Sequence, residues 1–413
     1  MIKKVTLRNG VRMMSEMNKT VRSVSIGIWV KTGSRNEART QNGISHFIEH
    51  MLFKGTKHRT AQQIAEAFDR IGGQVNAFTA KEYTCYHAKV LDEHARIALD
   101  VLQDMFFHST FEEREIEKEK QVVFEEIKMV EDTPDDQVHD LLSEASFGRS
   151  TLAYPILGQK EVLADLCAED LHDYMARFYT GDRVVVSVAG RFDEALLAEM
   201  EEIFSQVPRG QGSFHVPEAL FTPTMKYRQK ETEQAHLCLA YPGLPIGADH
   251  TFALVLLNNA LGGSMSSRLF QAIREEQGLC YSVFSYHAAY EETGLLNIYA
   301  ATQHQQLQQL AEEMNQVIKH IQRDGITKNE LDNGKEQLKG SIMLGLESMN
   351  SRMNRNGKNE LLRQRSRSLD ELIADIQTVT LEEVNALAEA IFIEKPAVSL
   401  ISASEDVPET LYT

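Results

Sequence analysis

The architecture of this chain can be inferred from one segment, His46-Phe47-Ile48-Glu49-His50. An α-helix advances about 100° per residue, so His46, Glu49 and His50 would lie within one narrow arc. Two imidazoles four positions apart can bind one metal ion from adjacent turns, and the carboxylate beside them can take a proton from a metal-activated water. The order H-x-x-E-H is the reverse of the H-E-x-x-H zinc helix. The segment therefore predicts a metal centre, and the alternative is a helix that carries these side chains by coincidence.

The composition limits the classes of protein to which the chain can belong. Its 413 residues exceed one ordinary hydrophobic core, so we expect two or more domains. A formal net charge of −17 argues against a nucleic-acid partner and against binding to an anionic membrane surface. No apolar run approaches the length of a membrane span, and the four cysteines have no Cys-x-x-Cys spacing. We therefore expect a soluble cytoplasmic protein with reduced thiols.

The order of predicted elements divides the chain into two similar halves. The first half, residues 1–205, alternates strand-like and helix-like segments and begins with a strand over 5–13. Residues 206–225 contain three of the nine prolines and are predicted to be a linker. The second half, residues 226–413, repeats the order, but its helix at 251–261 has no histidine or glutamate. We therefore predict an α+β fold of two homologous α/β-sandwich halves with mixed sheets, only the first of which binds metal.

A third metal ligand is expected, because a catalytic zinc commonly has three protein ligands and one open position. The charged helix predicted over 111–131 has an apolar stripe, and Glu119 and Glu126 border it, two turns apart. Glu125 would face solvent. A carboxylate at the edge of a buried stripe needs a partner, because an unpaired charge is costly to desolvate. The spacing leaves both Glu119 and Glu126 as candidate ligands, and the alternative is that both are solvated or paired with lysines.

These residues resemble the inverted-zincin peptidases, a family that includes pitrilysin, insulin-degrading enzyme and the mitochondrial processing peptidases. In that family the third ligand follows the second histidine by 76 positions, which corresponds to Glu126 here, and a secondary glutamate precedes it by seven, at Glu119. The resemblance implies that His46, His50 and Glu126 bind one zinc ion per chain and that Glu119 supports the ligands. The length is similar to that of the short, two-domain bacterial members.

The resemblance extends to the second half. Arg274 and Tyr281 are seven positions apart, like the arginine and tyrosine that this half of the family directs towards the metal. By analogy, Tyr281 would stabilise the oxyanion and Arg274 would hold the substrate backbone, and the alternative for Tyr281 is an aromatic side chain packed in the core. The segment Asn76-Ala77-Phe78 resembles the edge strand along which the family binds its substrate as an additional strand.

The resemblance implies a zinc-dependent endopeptidase with Glu49 as general base. Its halves, arranged like a clam shell, would enclose a chamber that admits short or unfolded peptides. It also implies a homodimer, or a heterodimer with a related subunit. The alternative is a non-catalytic peptide-binding or assembly subunit of the same fold, although such relatives usually lack a ligand or the base. A third alternative is hydrolysis of a non-peptide amide, against which a substrate-binding strand at 76–79 would count.

Overall fold

The computed structural model describes residues 2–210, 212, 216–363, 367–404 and 407–411. The strands are β1 (Ile2–Thr6), β2 (Arg12–Met17), β3 (Ser23–Val30), β4 (Gln74–Thr79), β5 (Thr84–Leu91), β6 (Val184–Gly190), β7 (Met225–Gln229), β8 (Ala235–Pro242), β9 (Cys280–Ala289), β10 (Gly294–Thr302) and β11 (Ala397–Ser402). The α-helices are α1 (Ile44–Met51), α2 (Ala61–Asp69), α3 (Ala95–His108), α4 (Glu113–Asp132), α5 (Pro134–Phe147), α6 (Lys160–Asp165), α7 (Ala168–Phe178), α8 (Glu194–Phe204), α9 (Thr251–Leu261), α10 (Leu307–Asp324), α11 (Lys328–Gly345), α12 (Met349–Arg363), α13 (Leu369–Thr378) and α14 (Leu381–Phe392). Within these residues, none of the helices combines the length and the apolar character that crossing a bilayer requires.

The chain forms two compact units, each made of three segments. Unit 1 comprises Met1–Lys128, Tyr154–Val216 and Leu344–Ser366, and unit 2 comprises Met129–Ala153, Pro217–Met343 and Arg367–Thr413. The change of unit between Val216 and Pro217 lies inside the predicted linker. The units differ from the predicted halves 1–205 and 226–413 in two segments, because 129–153 belongs to unit 2 and 344–366 belongs to unit 1.

Unit 1 contains a six-stranded mixed sheet in the order β1-β2-β6-β3-β5-β4. Strands β2 and β6 are parallel, and the other neighbours are antiparallel. Helices α1, α3, α7 and α8 contribute side chains to the large core on one face. Helix α12 covers the opposite face so closely that a Cβ atom on Gly27 would clash with Met353 Sδ, and one on Gly357 would clash with Trp29 Nε1. This packing explains why the segment 344–366 belongs to unit 1.

Unit 2 contains a five-stranded sheet in the order β7-β11-β8-β10-β9, with β7 and β11 parallel. Helix α5 packs on one face, where Ser399 Oγ donates a hydrogen bond of 2.8 Å to the carbonyl oxygen of Val138. The order matches β2-β6-β3-β5-β4 of unit 1 strand for strand, including the position of the parallel pair. The predicted fold class is confirmed, since each unit is a mixed sheet covered by helices.

The first predicted strand is wrong in one respect, because residues 5–13 form parts of two strands. Strand β1 ends at Thr6 and β2 begins at Arg12. Between them Gly10 has a φ of 100°, a left-handed conformation that glycine adopts without strain, and Leu7 N donates to Val11 O at 2.8 Å. The two strands pair as an antiparallel hairpin. The Asn9-Gly10 pair is a typical turn signal, which the strand-like alternation obscured.

Candidate metal centre

Helix α1 presents the three residues of the motif opposite the side that packs into the core. Ile44, Phe47 and Ile48 are fully buried and belong to the core of unit 1. His46 and His50 are therefore directed towards α4, where they lie near Glu126, and Glu49 is directed towards the end of β4, where it contacts Thr79. The helical spacing predicted that His46, Glu49 and His50 share one arc, and the apolar residues of the helix lie on the opposite side.

The N-terminus of α1 is held by Glu37, a residue that no sequence motif indicated. Glu37 Oε2 accepts hydrogen bonds from Gly43 N at 2.7 Å and from Asn42 Nδ2 at 2.9 Å, and its Oε1 accepts one from Ser45 N at 2.9 Å. Burial raises the pKa of Glu37, and these hydrogen bonds oppose that rise. A carboxylate here satisfies backbone N–H groups that a helix terminus leaves unpaired, and it complements the positive end of the helix dipole.

Three potential ligand atoms converge at the polar side of α1. His46 Nε2 and His50 Nε2 are 3.2 Å apart, and Glu126 Oε2 on α4 lies 3.8 Å from the former and 3.6 Å from the latter. Ligand atoms about 2.0–2.1 Å from one tetrahedral zinc ion are separated by roughly 3.3 Å. Burial, and secondarily the neighbouring His50, lowers the pKa of His46 to about 3, which leaves its imidazole neutral. The separations and the donor set of two imidazoles and one carboxylate therefore fit a zinc ion.

Glu119 occupies a different position from Glu126. His50 Nδ1 donates to Glu119 Oε1 at 2.8 Å, and Lys54 Nζ contacts Glu119 Oε2 at 2.6 Å. Burial raises the pKa of Glu119, but the hydrogen bonds from His50 and Lys54 outweigh this effect and hold the pKa below its usual value. A proton on Nδ1 of His50 leaves Nε2 as the free ligand atom. Of the two glutamates that the helix periodicity left open, Glu126 lies beside both Nε2 atoms and Glu119 lies behind His50.

Glu49 connects the motif helix to the edge of the sheet. Thr79 Oγ1, at the end of β4, donates a hydrogen bond of 2.5 Å to Glu49 Oε2. Burial raises the pKa of Glu49, and the Thr79 hydrogen bond partly opposes this. Strand β4, which contains Asn76, Ala77 and Phe78, ends the strand order of the sheet and pairs with β5. Within the described residues, the outer edge of this strand has no neighbouring strand, and it is close to the candidate base.

Arg274 and Tyr281 belong to unit 2. Arg274 lies in a π-helical segment, Phe270–Glu276, and Tyr281 lies in β9. Arg274 Nη1 donates to the carbonyl oxygen of Tyr281 at 2.9 Å, and the guanidinium carbon lies 4.6 Å from the centre of the Tyr281 ring. The Tyr281 residue is 77% exposed, so the alternative of a core aromatic is wrong. The two side chains are in contact, and the tyrosine side chain is accessible to a ligand.

Comparison with known proteins places the chain in a family. Residues 12–160 match the family model described as insulinase, peptidase family M16, and residues 165–338 match the model of the peptidase M16 inactive domain. A Bacillus subtilis strain 168 protein named uncharacterized zinc protease YmxG is 56% identical over 408 residues, which are 99% of this chain and 100% of that protein. An uncharacterized zinc protease of Streptomyces coelicolor is 37% identical to this chain. The match covers 98% of this chain and 90% of that protein.

Solved structures share the fold. A protease from Helicobacter pylori superimposes with a TM-score of 0.90 at 20% identity, over 97% of this chain and 99% of the other. A Pseudomonas fluorescens structure of a peptidase M16 inactive domain gives a TM-score of 0.92 at 18% identity, over 99% of both chains. The two family models and the 56% identical relative confirm the resemblance inferred from the motif. The chain belongs to the insulinase family of peptidases, peptidase family M16, and is a zinc-dependent protease.

Proposed function

We propose that the protein is an endopeptidase that hydrolyses short or unfolded peptides, with His46, His50 and Glu126 as zinc ligands and Glu49 as general base. The convergence of three ligand atoms within 3.2 to 3.8 Å of one another is the observation that supports this most strongly. The candidate base lies on the same helix as both histidines. No residue of this set is replaced, which argues against the alternative of a non-catalytic peptide-binding or assembly subunit.

Proton transfer is the proposed role of Glu49. When bound, zinc supplies a Lewis acid that acidifies water and polarises the scissile carbonyl group. Glu49 takes a proton from the attacking water and returns it to the leaving amine nitrogen. Thr79 holds Oε2 of this carboxylate, which leaves Oε1 for the water. Burial of Glu49 makes its carboxyl group a better temporary proton carrier than a solvated glutamate.

The edge strand β4 supports an extended peptide as the substrate. A peptide that pairs with the backbone at Asn76, Ala77 and Phe78 would add a strand to the sheet beside Glu49. We propose that Arg274 holds the substrate backbone and that Tyr281 stabilises the oxyanion, in agreement with the exposure of Tyr281 and its contact with Arg274. A strand site of this kind argues against a small non-peptide amide as substrate.

The remaining parts of the proposal concern assembly and location. We propose an enclosed reaction chamber, a homodimer or a heterodimer with a related subunit, and a cytoplasmic location. The four cysteines are free, which agrees with a reducing compartment. Light scattering of the purified chain measures the oligomeric state, and the resistance of folded proteins to cleavage would agree with a chamber.

Metal removal tests the proposed activity. We expect the zinc-loaded protein to cleave members of a library of short peptides, with products mapped by mass spectrometry. A chelator should abolish cleavage, and zinc should restore it once the site of His46, His50 and Glu126 is filled. Peptide binding without cleavage by the zinc-loaded protein would contradict the proposal and favour the non-catalytic subunit instead.

The hydrogen bond from His50 to Glu119 predicts an effect on zinc affinity. We expect Glu119→Gln to weaken zinc binding by about 10- to 100-fold, the usual effect of removing a group that orients a ligand. The amide oxygen can accept from only one side, whereas the carboxylate accepts from both His50 and Lys54. Competition with a zinc chelator measures the affinity. The control is Glu125→Gln on the same helix, whose side chain is 72% exposed, and unchanged affinity in Glu119→Gln would refute the positioning role.

A further inference from the structure

A second group of metal-binding side chains lies in unit 1, away from the site described above. Ligand atoms of His58, Asp104 and His108 all lie within 4.8 Å of one another. In the part of the chain that the structure describes, only this group and the His46 group bring three such atoms together. None of its members has a role in the proposed hydrolysis, so the group needs an explanation of its own.

Two of these side chains are on the last turns of helix α3. Asp104 and His108 are four residues apart and share a face, and His108 Nδ1 lies 3.1 Å from Asp104 Oδ1. Asp104 is 2% exposed, so its carboxylate is fixed by its surroundings rather than solvated. A carboxylate and an imidazole at this spacing can bind one ion from adjacent turns, as the two histidines of the motif helix do.

The third side chain, His58, is brought to α3 by a tight turn. Thr56 N donates to Arg59 O at 2.8 Å, and Lys57 N donates to the carbonyl oxygen of His108 at 2.9 Å. The turn is therefore attached to the C-terminal end of α3. His58 Nε2 lies 4.0 Å from Asp104 Oδ1, and the His58 and His108 rings are 4.8 Å apart. The backbone of the turn therefore holds the His58 side chain beside Asp104 and His108.

The Asp104 carboxylate is oriented for an additional ligand. Its Oδ2 accepts hydrogen bonds from Thr56 Oγ1 and from Arg59 Nη1, both at 2.7 Å. Oδ1 is therefore the oxygen that faces the two imidazoles. Arg59 neutralises part of the charge, but it does so at the oxygen opposite the histidines. A hydrogen bond between Asp104 and His108 alone would not explain why His58 is held at the same oxygen.

We propose that His58, Asp104 and His108 bind a second divalent transition-metal ion, of the zinc type that imidazole and carboxylate donors favour. The His58 side chain is 59% exposed and the His108 side chain is 37% exposed, so an ion enters from solvent and water completes its coordination. The ion joins the turn after α1 to the end of α3. This site is independent of peptide hydrolysis and does not rest on the proposed function.

Metal counting in the full-length protein tests the site. The His50→Ala variant, in which the motif site is weakened by the loss of one ligand, is stripped of metal and titrated with zinc alone. We expect one equivalent to bind to this variant and none to bind when His108→Ala is added. His320→Ala, an exposed histidine of α10, is the matched control and should leave the equivalent bound. No zinc on His50→Ala, or an equivalent that survives His108→Ala, would overturn the proposal.

A thermal readout covers the case in which His108→Ala folds poorly. Because a bound ion stabilises only the folded state, zinc should raise the Tm of His50→Ala, and His58→Ala in the same background should remove that rise. His58 is exposed on a turn, so its replacement costs little stability. As a single substitution in the parental chain, which keeps His50, His58→Ala is expected to cleave peptide at the parental rate. A zinc-dependent Tm rise that persists without His58 would contradict its role as a ligand.

Discussion

Replacing Glu49 by glutamine is expected to reduce peptide cleavage by about three orders of magnitude while zinc remains bound. General base catalysis contributes about 10²- to 10⁴-fold, and an amide cannot accept the proton of the attacking water. The glutamine side chain has nearly the size of glutamate, and its oxygen can still accept the hydrogen bond from Thr79. The measurements are the cleavage rate of a fluorogenic peptide under zinc saturation and the zinc content by native mass spectrometry.

The separation of the two readouts makes this variant informative. Loss of both zinc and activity would mean that the side chain supports the metal site rather than carrying a proton. Cleavage near the parental rate would remove Glu49 from the mechanism altogether. Glu66→Gln, an exposed glutamate of helix α2, is the matched control and should change neither readout. An unchanged cleavage rate and zinc content in this control would show that the loss of a carboxylate from unit 1 does not by itself reduce activity.

Local elements were predictable where one period dominates the sequence. The helix predicted at 251–261 coincides with α9, and the helix predicted over 111–131 corresponds to α4 at Glu113–Asp132. Both carry apolar side chains at helical spacing. The strand predicted over 5–13 failed because alternation continues across the turn at Gly10, where the backbone conformation reverses the chain. The apolar periodicity indicates which side chains are buried, but it does not indicate where the chain turns between two strands.

The segments that make up each unit could not be predicted by dividing the chain at one linker. Helix α5 follows α4 directly in the chain but packs on the sheet of unit 2, and α12 packs on the sheet of unit 1. Their sequences show only that each has an apolar face. Which sheet covers that face depends on shape, as the close approach of Gly27 to Met353 illustrates. This information is distributed over residues more than 300 positions apart.

The residue types of the candidate metal centre could be predicted from the sequence, whereas its geometry was less predictable. The spacing on α1 identified His46 and His50 as neighbours, but the periodicity of α4 left Glu119 and Glu126 equivalent. They differ in their tertiary contacts, because Glu126 lies beside both Nε2 atoms and Glu119 meets Nδ1 of His50. Glu37 gave no signal, since it holds the start of α1 through a loop rather than at a capping position. Contacts made through tertiary structure have no fixed sequence spacing.

The position of Glu126 leads to the second large expected effect, the loss of zinc from Glu126→Gln. A neutral amide is a poorer zinc ligand than a carboxylate, and only two imidazoles would remain. We expect zinc affinity to fall by more than roughly 100-fold, which is the largest usual loss when a side chain that orients a ligand is removed. The loss should therefore be greater than in Glu119→Gln. The Glu126 side chain is 32% exposed, so the fold should tolerate the change. Chelator competition measures the affinity, and circular dichroism verifies the fold.

Excess zinc distinguishes the loss of a ligand from the loss of the base. In Glu126→Gln, Glu49 and its hydrogen bond from Thr79 are intact, so saturating zinc should recover part of the cleavage rate. In Glu49→Gln no zinc concentration should do so, because the missing function is proton transfer. If Glu126→Gln kept parental affinity while Glu119→Gln lost zinc, the ligand would be Glu119. The hydrogen bond of 2.8 Å between Glu119 and His50 Nδ1 opposes that outcome, since it directs this carboxylate to the ring nitrogen opposite the one that faces His46.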